Sequence, residues 1–271
     1  MAGGECVQKS CRQGNVLIWF LDLRLLPSAA RMDVKVAPLP EDASVYVITL
    51  AGKGEHRYNE ESLAAINRAL DDVEKDANAA ALVISNEGKF FSNGLDLAAV
   101  GDNPGRFQLI VADFHKLLKR LLLFPIPTVA AICGHAAAAG CMFALAMDYR
   151  VMSADRGYIF LSEIDIRIPL TAGMNAVIRS KIPGNNFYKA VLSAHKYSAK
   201  TAVGAGFVDA ALPDPASTLK EALDRAKALA ARNFDRLIYN ALKGEMFKQV
   251  IKDLEDGGFG PIPAEVLLSR M

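Results

Sequence analysis

Two periods of hydrophobic and polar positions interchange along the chain. Val45-Tyr46-Val47-Ile48-Thr49-Leu50 is a β-branched run closed by Gly52 and Gly54, which predicts a strand. Asn59 then has the features of a helix cap, with Glu60 and Glu61 in the first turn. Leu63, Ile66, Leu70 and Val73 follow at helical spacing. Ala81 to Ser85 reads as a short buried strand that ends in a polar loop, Asn86 to Gly94. Arg106 to Phe124 reads as a long helix, stopped by Pro125 and Pro127. Thr128 to Cys133 predicts another buried strand, broken by Gly134, with an alanine-rich helix running on to about Met147. Short strands are expected at Tyr149 to Met152 and Tyr158 to Leu161. Beyond Pro169 the pattern is helical, except for a strand at Phe207 to Leu212; helices near Thr218 to Arg232 and Phe234 to Lys252 close the chain.

Strands alternating with helices predict an α/β core of ββα-like units followed by a helical part. Residues 1–31 read as a poorly defined N-terminal extension, dispensable, with Met32 as an alternative start. The core is expected over residues 32–195 and the helical C-terminal region over 196–271. The apolar run Val16 to Leu21 is far too short to span a bilayer.

Composition narrows the function classes. Basic and acidic residues number 31 and 30, so no field favours nucleic acid or an anionic membrane. Cys6, Cys11, Cys133 and Cys141 form no CxxC pair, and His56, His115, His135 and His195 are scattered, which argues against a metal site. Neither a GxSxG elbow nor a GxxxxGK[ST] phosphate loop is present.

Two loop-to-helix junctions carry candidate chemistry. In Lys89-Phe90-Phe91-Ser92-Asn93-Gly94-Leu95-Asp96-Leu97 a buried strand meets a glycine and a helix opens behind it. In Gly134-His135-Ala136-Ala137-Ala138-Ala139-Gly140 a glycine is followed by very small side chains. Helix N-termini leave N–H groups unpaired, and small residues let a ligand approach the backbone. Converging, two such junctions make a site for a developing oxyanion. Alone, either one is ordinary architecture. Glu163, in Ser162-Glu163-Ile164-Asp165-Ile166, stands on a strand end or extended loop, where the pattern alone favours an ordinary solvated edge charge over a base facing an apolar pocket. Asp165 has the same parity, so the pattern leaves the choice between them open.

In this order and spacing the segments resemble the crotonase (enoyl-CoA hydratase/isomerase) superfamily, from about Val45 to the last helices. Within it, His56-Arg57, the FFSNG-x-DL stretch, GHAAAAG, Asp155-Arg156-Gly157 and Ser162-Glu163-x-Asp165 are similar to plant peroxisomal Δ3,Δ2-enoyl-CoA isomerases. The resemblance implies a ββα spiral core with a helical C-terminal part, usually built into trimers or pairs of trimers. It implies an acyl-CoA substrate whose thioester oxygen meets the N–H groups of Leu95 and Ala139, with Glu163 moving the proton. The loop residues Asn93, Gly94, Leu95, Asp96 and Leu97 and the helix-opening Ala139 are the expected substrate-binding residues. CoA is part of the substrate, and no metal or other cofactor is expected.

Two departures matter. Hydratases of the family use a first glutamate where this chain has Met142, while the second aligns with Glu163. A lone carboxylate suits a 1,3-proton shift better than addition of water. Arg167 stands where the family commonly has glycine, and is expected to narrow the acyl pocket or pair with Asp165. A hydratase or other acyl-CoA activity, with Asp96 supplying the missing acid, and a non-catalytic CoA-thioester-binding protein remain the alternatives. The ending Ser269-Arg270-Met271 is similar to peroxisomal tripeptides of the S-K-L type, and implies an import receptor as partner and the peroxisome as compartment.

Overall fold

The computed structural model describes residues 10–12, 17–19, 31–101 and 103–258. Strands β1 (Ser10–Arg12) and β2 (Leu17–Trp19) pair antiparallel. Most of the expected 1–31 extension and the whole Ser269-Arg270-Met271 ending lie outside the described residues.

β3 (Asp33–Leu39) and β4 (Asp42–Ala51) form an antiparallel hairpin. The sequence reading places no strand at β3. It is an edge strand, exposed at most alternate positions, with Val34 and Val36 leaning on the core and Leu39 buried at its end. Helix α1 (Glu60–Lys75) opens with a capping box: Ser62 N–H donates to Asn59 Oδ1 at 2.9 Å, and Asn59 N–H donates to Ser62 Oγ at 2.8 Å. After β5 (Ala81–Asn86), β6 (Phe90–Ser92) and the single turn α2 (Leu97–Val100) comes α3 (Pro104–Leu122). Asn103 caps α3 and Pro104 occupies its first turn, where a missing N–H costs nothing.

β7 (Thr128–Ile132) leads to β8 (His135–Ala137) and then α4 (Ala139–Ala146). The alanine-rich run therefore begins as a strand, although the sequence predicts helix from its start. β9 (Tyr149–Ser153) and β10 (Ile159–Phe160) follow, then α5 (Ala172–Lys181), α6 (Gly184–Ser193) and α7 (Ala199–Ala205). β11 (Ala210–Leu212), α8 (Pro215–Ala230), α9 (Arg236–Met246) and α10 (Lys248–Asp256) complete the described chain. The helix expected over Phe234 to Lys252 is two helices, because Phe247 leaves helical geometry at φ −107°, ψ 14°.

The main sheet has the order β11-β9-β7-β5-β4-β3, parallel throughout except for the β3/β4 hairpin. β5 and β7 are buried at every position, as central parallel strands covered on both faces must be. On one face Ala222, Ala226 and Ala230 of α8 pack against Val45, Val83, Val129 and Val151. On the other, Ile48, Leu82, Ile84 and Ile132 join Ile66, Phe114, Leu118 and Phe143 of the helices beneath. A second sheet of order β10-β8-β6 is fully parallel and carries the candidate site at one end.

Candidate active site

Three short strands end side by side. Ser92 of β6 and Ile159 of β10 both pair with Ala136 of β8, so the carboxyl ends of the small sheet lie on one side. Asn93 to Leu95 follow the first end, Ala138 and Ala139 the second, and Leu161 to Glu163 the third. Ligands of parallel sheets lie at such carboxyl ends.

Glycines set how closely the ends meet. Gly94 has φ +86°, and a Cβ there would lie 3.1 Å from Ala138 Cβ and 3.3 Å from Ala139 N. At Gly140 a Cβ would lie 2.3 Å from Ser92 O, so the first turn of α4 rests directly on the β6 backbone. Buried Ser92 fixes the loop from beneath: its hydroxyl donates to His56 O at 2.7 Å and accepts from Gly94 N–H at 3.2 Å.

This packing leaves particular N–H groups without an acceptor among the described residues. Tyr58 N–H donates to Gly94 O and Asp96 N–H donates to Tyr58 O, each at 2.8 Å, which passes over the Leu95 N–H between them. Ala139 is the first residue of α4, and a helix leaves its first N–H groups without intrahelical acceptors. Ala138 ahead of it is held by Phe160 O at 3.0 Å, in a backbone conformation (φ +50°, ψ −122°) that L-residues rarely adopt.

Glu163 belongs to a tight turn, neither a strand end nor an extended loop. Ile166 N–H donates to Ser162 O at 3.1 Å and Ile168 N–H to Glu163 O at 3.0 Å. The turn abolishes strand parity. Asp165 is exposed, whereas Glu163 Oε2 is buried and has no hydrogen-bond partner among the described residues. Burial pushes the Glu163 carboxyl up to about 7, against bonds from its own and the Ser162 backbone. A carboxyl with that value exchanges protons readily near neutral pH. Arg167 takes the left-handed conformation at φ +61°, the reason glycine suits that position. It is exposed and is not among the residues lining the cavity.

The three ends open on a cavity of about 840 Å3, counting its solvent-filled mouth. Of the expected site residues, Asn93, Leu95, Leu97, Ala139 and Glu163 line it. Gly94 and Asp96 do not: Gly94 lies behind against Ala138, and fully buried Asp96 caps α2 through Ala99 N–H at 3.2 Å. Glu163 is the sole acidic residue among the described lining residues, and Met142 lies in the same wall. The sequence reading assigns no site role to Arg57 and Ser162, which it quotes only within family motifs, or to Phe107, Val111 and Met174, all of which also line the cavity. Phe107 and Val111 sit at i, i+4 on α3, a spacing shared by ordinary core residues, so periodicity holds no separate signal for them. Arg57 Nε donates to Glu55 Oε2 at 2.7 Å, and Asn93 Nδ2 donates to the same oxygen at 3.0 Å. Burial works against the Glu55 charge, but these bonds hold its carboxyl below the ordinary value. Among the described residues no cluster of His, Cys, Asp or Glu could hold a metal ion, and no helix is long and apolar enough to cross a membrane.

The enoyl-CoA hydratase/isomerase family matches residues 41–257, and the chain belongs to that family. The protein "Enoyl-CoA delta isomerase 1, peroxisomal" of Arabidopsis thaliana is 34% identical over 210 residues, covering 76% of this chain and 88% of its own. "Enoyl-CoA delta isomerase 3" of the same plant is 34% identical and covers 79% of this chain and 93% of its own. Among solved structures, an enoyl-CoA hydratase of Mycobacterium ulcerans matches with a TM-score of 0.76 at 26% identity, over 83% of this chain and 95% of that one. Human mitochondrial delta3-delta2-enoyl-CoA isomerase matches with a TM-score of 0.74 at 23% identity, over 82% of this chain and 89% of that one. The fold is thus the crotonase fold that the motifs imply.

Proposed function

We propose that the protein isomerises 3-enoyl-CoA to trans-2-enoyl-CoA by a 1,3-proton shift, as a step of fatty acid β-oxidation. The observation that carries this reading is a single carboxyl, Glu163, whose buried Oε2 has no hydrogen-bond partner among the described residues, in a cavity with no second acid among its described lining residues. The thioester oxygen accepts hydrogen bonds from the N–H groups of Leu95 and Ala139. Ionised Glu163 takes a proton from C2 of the substrate, and the electron pair passes into a dienolate whose oxygen those donors stabilise. Glu163 returns the proton at C4, which leaves the double bond between C2 and C3. The proton that leaves is the proton that comes back, so the step consumes no water and needs no redox or metal cofactor. Hydration needs a second acid–base group to activate water, and the place expected for it holds Met142.

The name of the first Arabidopsis relative, which includes the word peroxisomal, and the Ser269-Arg270-Met271 tripeptide support a peroxisomal protein that engages an import receptor. The deciding experiment offers 3-enoyl-CoA and 2-enoyl-CoA separately. Conjugated thioester is expected to appear from the first; its loss from the second instead would make the protein a hydratase. A fluorescent fusion ending in the tripeptide is expected to be punctate and to become diffuse when the tripeptide is deleted.

A further inference from the structure

We infer that His115 is a positioning residue for Glu163, acting through the hydroxyl of Thr171 on the far end of the turn that carries the carboxyl. The inference rests on the role proposed for Glu163. His115 projects from α3 and is buried. Its Nδ1 lies 3.1 Å from Leu254 O near the end of α10, and its Nε2 lies 2.7 Å from Thr171 Oγ1. A carbonyl can only accept, so Nδ1 carries the hydrogen and Nε2 offers its lone pair to the Thr171 hydroxyl. Burial holds the imidazole pKa below the ordinary histidine value, which keeps the ring in the neutral form this arrangement needs. Thr171 Oγ1 in turn accepts from Met174 N–H at 3.0 Å and so caps α5. The hydroxyl is used in both directions, and fully buried Thr171 has no alternative partner in water.

Thr171 closes the stretch that begins at Glu163 and supplies Ile166, Ile168 and Pro169 to the cavity wall, while Met174 adds to it from α5. The middle of the stretch faces outward. Ile164, Asp165 and Arg167 are exposed, and Arg167 sits in a left-handed conformation that favours glycine. Backbone bonds from Asp165 and Ile166 N–H to Ser162 O and from Ile168 N–H to Glu163 O close the turn itself, and the Thr171 anchor holds the segment that leads from it into α5. α10 supplies the other half of the anchor. It sits close enough on α5 that a Cβ at Gly173 would lie 2.7 Å from Leu254 Cα. Loosening the Thr171 end lets the turn open and water reach Glu163. The groups that share the Glu163 environment are Cys141 of α4, whose thiol feels its charge, and Arg57 of the cavity wall.

The test compares Thr171→Val, which keeps the shape and removes the hydroxyl, with Thr171→Ser, which keeps it, and with His115→Leu. Two readouts are taken: the midpoint of the acid limb of kcat/KM, and the carboxyl titration of Glu163 by carbon-13 NMR without substrate, assigned by its loss in Glu163→Gln. Thr171→Val and His115→Leu are expected to move both midpoints toward lower pH. They are also expected to lower kcat by on the order of 10-fold to 100-fold, with KM little changed, as misplacement of a reacting group does. Thr171→Ser restores both. If Thr171→Val lowers only the melting temperature and leaves the Glu163 titration in place, the inference is wrong. Thr171→Val carries the test alone should His115→Leu not fold. Because the titration needs no turnover, failure of the isomerase reading shows separately, as a wild type inactive on 3-enoyl-CoA.

Discussion

A carboxyl buried in an apolar wall resists ionisation, and Glu163 is held there by a turn, with no partner for Oε2 among the described residues. Its place beside the proposed N–H donors makes Glu163→Gln the sharpest single substitution. Losing a positioned base costs on the order of 10²–10⁴ in rate, and a group that both removes and returns the proton belongs at the upper end. Substrate affinity is expected to stay near wild type, because the donors are backbone groups. Exposed Asp165 is the control: Asp165→Asn is expected to retain turnover, and if it loses as much as Glu163→Gln the assignment is wrong. The pH dependence follows from the same burial. Activity needs the ionised form, so kcat/KM is expected to rise with pH about a midpoint near 7. Stability runs the other way. A folded value raised from 4.5 to about 7 stabilises the fold fully below 4.5, and that contribution fades as pH climbs through 7, up to about 3 kcal/mol in all. Melting Glu163→Gln beside wild type at pH 5 and pH 8.5 should show the variant gaining relative stability at the higher pH. Sequence parity left Glu163 and Asp165 equivalent; the turn bonds that separate them depend on backbone conformation, which a binary pattern does not carry.

At the scale of elements, the chain's helices were legible where local chemistry marks their ends. Asn59 with Glu60 and Glu61 announced α1, and Pro125 and Pro127 announced the end of α3. The strands of the small sheet were less so. β8 is made of His135, Ala136 and Ala137, a composition that reads as helix, and it becomes a strand because β6 and β10 pair with it from both sides. Tertiary pairing overrides propensity there. Gly140 is where the element contact can be tested. Gly140→Ala drives a Cβ to 2.3 Å from Ser92 O, a backbone atom that cannot step aside cheaply. A loss of about 1–3 kcal/mol in urea unfolding is expected, the usual cost of overpacking, together with a fall in turnover as Ala139 N–H shifts. Gly204, in α7, has nothing within 4 Å of an added Cβ. Gly204→Ala is therefore expected to leave turnover unchanged and to stabilise by about 0.5–1 kcal/mol through helix propensity. Equal effects at the two glycines would mean that the β6–α4 contact does not govern the site.

At the scale of the whole molecule, the C-terminal helices dock through groups that no sequence window brings together. Lys243 of α9 reaches Asp148 at 2.8 Å in a buried ion pair that also holds the Tyr239 hydroxyl at 3.1 Å. With that polar side of α9 turned inward, Ile238, Leu242 and Met246 recur at i, i+4, i+8 on the other side, with Leu242 60% and Met246 73% exposed. Leu237 adds a fourth large apolar side chain to the same helix. A contiguous apolar stripe of this kind marks an interaction surface more often than a free one. We propose a second copy of the chain as its cover, in the trimer or pair of trimers that the resemblance implies. Light scattering is therefore expected to give three or six times the 29.2 kDa chain mass. Combining Leu242→Glu with Met246→Glu should shift the population toward the single chain. Far-ultraviolet circular dichroism should stay the same, because both side chains are exposed in the isolated chain and surface substitutions rarely cost more than about 0.5 kcal/mol each. A wild type that scatters as a 29.2 kDa monomer at micromolar concentration would show that the stripe faces water and that the proposed trimer does not form.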